Sequence, residues 1–181
     1  GFKAKQRLRR YQEIIEKDTD MCLGSYCFLW GQKQESTSTW HGMYLSNGNP
    51  TEAVDVMHYC WKGYWPEKRA PSIQEIFLNG KNWKANHIFK KRDEVELKFI
   101  LDKYNNEEVY LNFEIYPETF STQQGGDFQK SPDKIDFEKI TESNNILLFN
   151  APSKSGAYRI FVFAYNSNNQ YSVANMPFFV N

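Results

Sequence analysis

The chain is short of most of what would betray its chemistry. Lys and Arg number 22 and so do Asp and Glu, so no surplus charge of either sign exists to gather nucleic acid or an acidic membrane surface. Nucleic acid is therefore not an expected partner. There are 3 cysteines, Cys22, Cys27 and Cys60, too few for a disulfide framework and without the two-residue spacing of a zinc grip. They read as buried thiols. No apolar run approaches the roughly 20 residues of a membrane helix, so no membrane span is expected. The opening GFKAKQRLRR also lacks the apolar stretch of a signal peptide. A first residue Gly1 in place of Met is what a trimmed tag or an excised piece would show. The Gly-x-Ser-x-Gly elbow of a nucleophilic serine is missing too. Nothing implies a cofactor.

Aromatics are what the chain has in excess: 14 Phe, 11 Tyr and 5 Trp, or 17% of residues. Such a surplus suits strands, and it also suits surfaces that stack on flat ligands such as sugars. A length of 181 residues allows one large domain or a domain with a substantial extra segment.

Along the chain the hydrophobic period changes near residue 71. Before it, Leu8, Tyr11, Ile14 and Ile15 recur at helical spacing within Ala4 to Lys17, which predicts an amphipathic helix with one buried stripe. Met21 to Trp30 is an almost unbroken apolar run of strand length, the pattern of a strand covered on both faces in a parallel sheet. Gly31 to Gly42 is polar and turn-rich, a long loop at the carboxyl end of that strand. Asn49, Pro50 and Glu52 then read as the cap and first turn of a second helix running to about Lys62, with Gly63 placed to end it. The stretch Tyr64 to Pro71, with two prolines and several charges, reads as a linker.

After it the period becomes two. Val95, Leu97, Phe99 and Leu101 alternate with mostly charged residues. Val109, Leu111, Phe113 and Ile115 form a second such face, and Tyr158, Ile160, Val162 and Ala164 a third. With Ile73 to Leu78, Ile146 to Phe149 and Tyr171 to Val180 this makes about six strands, and no helix long enough to cross between parallel ones. The expected class is therefore α+β: a helix-strand-helix segment over residues 1–70, then an antiparallel immunoglobulin-like β-sandwich over residues 71–181. Phe161, Phe163 and Tyr165 fall on the sandwich's outward side, and the N-terminal segment is the expected cover. Pro117 to Asp136, with its Gln-Gln-Gly-Gly-Asp, reads as a long excursion between strands.

Helix, apolar strand, long loop and capped helix follow one another in the order found at the end of a (β/α)8 barrel. The stretch CLGSYCFLWGQKQESTSTWHGMYLSNGNPTEAVDVMHYCWKGYWPEKRAP resembles the closing unit of a glycoside-hydrolase TIM barrel of the retaining clan that includes β-galactosidases and β-glucuronidases. In that clan the eighth strand ends in a tryptophan that floors the sugar subsite, and Trp30 stands where that residue would be. The resemblance covers about residues 1–70. It implies a carbohydrate-active parent, an extracellular or periplasmic location, and a sandwich that braces the barrel. It also implies that this chain does no hydrolysis alone. Retaining hydrolysis needs two carboxylates about 5 Å apart, and in the clan they stand on the fourth and seventh strands, upstream of Gly1. No catalytic residue is thus expected here, and Glu35 reads as a solvated charge.

The candidate sugar-binding residues are Trp30, as a stacking platform, and Gln32, Lys33, Trp40 and His41 as a hydrogen-bonding rim. Trp61, Tyr64 and Trp65 read as cover for the helix end. His58 and Cys60, two apart on one helix, do not share a face, so with His41 they make no metal site. Trp83, His87 and Phe89 read as loop packing, with a ligand platform as the alternative. The expected partners are a carbohydrate and either the rest of a parent barrel or a second chain, because a lone apolar strand needs cover. The other reading is a non-catalytic carbohydrate-binding or protein-interaction sandwich module.

Overall fold

A computed structural model describes residues 1–104, 107–119 and 128–181. The Gln-Gln-Gly-Gly-Asp part of the expected excursion lies outside the described residues.

The period-two segments form strands because each buries one side. Among the described residues the strands are β1 (Ser72–Leu78), β2 (Ile88–Phe89), β3 (Glu94–Asp102), β4 (Val109–Pro117), β5 (Lys139–Ser143), β6 (Ile146–Asn150), β7 (Gly156–Asn166) and β8 (Tyr171–Val180). They make two four-stranded sheets, ordered β1-β3-β6-β5 and β2-β8-β7-β4. All pairs are antiparallel except the two-residue β2, which runs parallel to β8. The result is a β-sandwich with a small departure from the purely antiparallel expectation.

Between the sheets Val95, Leu97 and Phe99 of β3 and Leu147 and Phe149 of β6 meet Ile160, Val162 and Ala164 of β7 and Met176, Phe178 and Val180 of β8. Each fully buried side chain of this kind is worth about 1.5–3 kcal/mol relative to exposure, so this layer drives the fold. His87 and Phe89 join the interior, with His87 Nε2 3.0 Å from the Asn82 carbonyl, while Trp83 stays outside. They form no shared platform. At the far edge β5 shows all five residues to solvent and carries a register shift between Lys139 and Thr141.

The N-terminal segment departs further from expectation. The first helix, α1 (Phe2–Arg10), ends early and continues as one π turn, Tyr11–Ile15. Its only fully buried residue is Ala4, and Ile14 is exposed, so the expected apolar stripe is not sealed. Met21 to Trp30 is not a strand. A strand needs a neighbour for its N–H and C=O groups, and the segment instead runs irregularly with Met21, Leu23, Tyr26 and Phe28 in solvent. No barrel-end unit is formed. Arg7 holds the stretch to α1, donating from Nη2 to the Phe28 and His41 carbonyls at 3.1 Å each. The cysteines are free and half-buried rather than buried.

The second helix, α2 (Glu52–Lys62), starts two residues later than the proline signal predicts. Thr51 is its cap, with Oγ1 accepting from Ala53 N at 3.4 Å. Pro50 stays extended because its carbonyl accepts the Tyr171 N–H of β8 at 2.9 Å. Gly63 ends the helix at φ 78°, a left-handed turn that glycine adopts without strain. Under α2, Met43, Ala53 and Met57 form a small second core, flanked by Cys27, Tyr44, Val54 and Cys60.

Two carboxylates of α2 dock the segment on the sandwich. Glu52 accepts from Ser72 Oγ of β1 at 2.8 Å and Ser172 Oγ of β8 at 3.1 Å, and it also meets the Gly1 nitrogen. Ser172 Oγ in turn accepts the Ile73 N–H at 3.0 Å, so one polar knot ties the helix to both sheets. Asp55 accepts the Ala70 N–H at 2.8 Å, just before β1 begins. Burial pushes the Asp55 carboxyl up to about 6 from its usual 3.8.

Two predictions follow from this docking. Glu52→Ala strands the buried hydroxyls of Ser72 and Ser172 and should cost about 2–3 kcal/mol in urea denaturation, whereas a cost under about 0.5 kcal/mol would show the knot to be incidental. For Asp55 the folded value lies above the unfolded one, so between about pH 4 and 6 only the folded chain holds the proton, and stability should fall as pH rises through that window. Asp55→Asn should flatten that slope, on the order of 2 kcal/mol over the window; equal slopes in both proteins would refute the assignment.

Candidate functional site

The loop carrying the candidate residues is pinned at its two ends to each other. Leu29 and Gly31 accept the Met43 N–H at 3.2 and 3.0 Å, and Gly31 also accepts the Tyr44 N–H at 3.1 Å. Leu29 N donates back to His41 O at 3.4 Å. This pairing sets Trp30 beside Tyr44, ring centroids 5.5 Å apart and edge-on at 76°. Trp61, near the end of α2, comes within 5.6 Å of Trp30 at 37°. Both indoles remain half in solvent, Trp30 at 50% and Trp61 at 51% exposure. Together they make a two-ring aromatic surface with Tyr44 as its buttress.

The expected rim does not gather around that surface. His41 lies on the other side of the Leu29–His41 backbone contact, edge-on to Phe28 at 5.5 Å and 6.0 Å from the exposed Trp40 ring. Lys33 Nζ meets Glu35 Oε2 at 2.8 Å, and Glu35 Oε1 lies 3.5 Å from His41 Nε2. The hydrogen bond from Lys33 holds the Glu35 carboxyl below its ordinary value. Gln32 turns away, donating from Nε2 to Ser38 O at 3.2 Å, and lines a cavity against the outward side of the second sheet. Trp30 thus stands with Tyr44 and Trp61, while Lys33, Trp40 and His41 form a separate polar cluster around Glu35.

Trp61 is a member of the aromatic surface that sequence reasoning assigned to covering the helix end. Its helical position gave no hint of Trp30, since only the backbone pairing of residues 29–31 with 43–44 brings the two together. Tyr64 sits edge-on to His58 at 5.1 Å, and Trp65 stacks on Tyr59 at 4.6 Å with the Arg69 guanidinium 3.8 Å over its ring. These pairs close the start of the linker. Glu35 is engaged by a lysine and a histidine, so it is an ion-paired carboxylate and not the freely solvated charge expected. Among the described residues no group of three His, Cys, Asp or Glu side chains converges as a metal would require.

No family model matches the sequence, and no curated protein matches it. Among solved structures the chain is similar to PcoC, a methionine-rich copper resistance protein from Escherichia coli, at 13% identity and TM-score 0.37, covering 61% of this chain and 98% of that one. It is also similar to murine CRIg at 7% identity and TM-score 0.33, covering 61% of this chain and 96% of that one.

The ring geometry is open to direct measurement. In a double-mutant cycle of Trp30→Ala and Trp61→Ala, the coupling energy should be about 0.5–1.5 kcal/mol; additive single effects would mean the rings do not meet.

Proposed function

We propose that this chain is the C-terminal region of a carbohydrate-active glycosidase, in which an immunoglobulin-like sandwich braces the barrel and Trp30 stacks on a sugar ring. On this reading the chain is not catalytic alone, the carboxylate pair belonging to the barrel strands that precede it. The observation that carries the reading is the half-exposed Trp30 and Trp61 pair at the end of an apolar segment that the described residues leave largely uncovered. Indole faces left in water are suited to the C–H faces of pyranose rings. The uncovered Met21, Leu23, Tyr26 and Phe28 are side chains whose burial would each return about 1.5–3 kcal/mol, which fits a segment meant to sit against the rest of a barrel or a second chain. An extracellular or periplasmic location belongs to the same reading. Among the described residues no helix is long and apolar enough to cross a membrane.

A second reading, a non-catalytic carbohydrate-binding or protein-interaction module, is favoured by one observation: the sandwich has a continuous core of its own between its sheets. The coding sequence upstream separates the two, because only the first requires a barrel with a Glu at the ends of its fourth and seventh strands. For the sugar contact, tryptophan fluorescence should change on titration with galactose or glucuronic acid to about 10 mM, and Trp30→Ala should abolish the change. An unchanged spectrum in the wild-type chain would remove the stacking role.

A further inference from the structure

The outward side of the second sheet is covered by the loop from Gln32 to Ser38, and the cover is not flush. Between them lies a cavity of about 510 Å³, within the range that holds small ligands. We infer that this seam is a second binding site, for a neutral polyhydroxylated ligand of about disaccharide size. The inference rests on the carbohydrate reading above but not on Trp30, which does not line the cavity.

Three features define the guest. The floor is aromatic: Phe163 lies within 17° of parallel to the buried Phe161 at 6.1 Å, and Tyr165 stacks on Tyr171 within 17° at 4.8 Å. Such a floor favours a ligand with apolar faces. The charges around it are largely spent on one another. Arg159 pairs with Glu118 at 2.6 Å and donates to Asn175 at 2.6 Å, and Lys134 meets Glu114 at 3.4 Å. The Tyr116 hydroxyl also donates to Glu114, at 2.7 Å. Asp133, exposed at the rim, is the remaining lining charge. Among the described lining residues no cation is left over to hold a phosphate or a sugar acid. The walls are polar: Ser36, Ser38, Ser46, Asn47, Asn112 and Ser131 line them with hydroxyl and amide groups. Such groups can both donate to and accept from the hydroxyls of a sugar. Aromatic floor, largely paired charge and polar walls together describe a neutral sugar better than an ion or a purely apolar guest.

The experiment is calorimetric titration with cellobiose, lactose and maltose, and with sodium glucuronate as the charged comparison, in a Trp30→Ala background that removes the other surface. At least one neutral disaccharide should bind with a Kd of about 1–10 mM and glucuronate more weakly. Phe163→Ala, which removes part of the floor, should weaken binding about tenfold. Asn112→Trp, which fills the cavity from the position cross-strand to Phe163, should do the same with the thermal midpoint preserved. No binding by any of the three disaccharides, tighter binding of glucuronate, or indifference to both substitutions would overturn the seam site. Sugar binding that survives Asn112→Trp and disappears with Trp30→Ala would sink this site and leave the Trp30 surface standing; the reverse pattern would do the opposite.

Discussion

The arrangement of the whole chain depends on where the Glu52 carboxylate finds its donors. It sits in the first turn of α2, and Ser72 and Ser172 reach it from strands that belong to different sheets. A carboxylate withdrawn from water is tolerated only when its lone pairs are satisfied, so the helix is fixed at the one place where β1 and β8 both present hydroxyls. Sliding α2 by a turn would break these contacts together. The Pro50 carbonyl on Tyr171 and the Asp55 carboxyl on Ala70 extend the same anchorage along the helix axis.

From that anchorage the positions of everything upstream follow. With α2 set, the second core of Met43, Ala53 and Met57 draws residues 43–44 beneath it, and their backbone pairing draws in residues 29–31. The loop between is thereby laid over the aromatic outward side of β7 and β4. Phe161 loses nearly all its exposure there, down to 3%. The apolar stretch before Trp30 has no such guide, and Arg7 is its main tether.

The sandwich was legible because alternation is a local property. Val95, Leu97 and Phe99 declare a face whatever they pair with, as do Ile160, Val162 and Ala164. β2 was hidden by being two residues long, and β5 by burying none of its side chains, so neither leaves a period to detect. Met21 to Trp30 misled for a different reason. An apolar run records a demand for burial, but strand formation also needs a hydrogen-bonding neighbour, which no stretch of sequence states about itself. The same limit explains the candidate site. Trp30 could be singled out for its place at the end of the run. Its company, Tyr44 and Trp61 and not His41 and Trp40, was decided by cross-loop carbonyls that carry no residue signature.

The register-shifted, solvent-facing β5 has a bearing on how such a sandwich behaves among neighbours. An open sheet edge is a template on which another chain can polymerise. Here the last strand of the first sheet offers an interrupted register, a Lys139 to Glu142 ion pair at 3.3 Å and no apolar side to match. A second sandwich arriving at that edge would find its ladder broken after a few residues. That edge is thus a poor site for runaway strand exchange between copies of the domain.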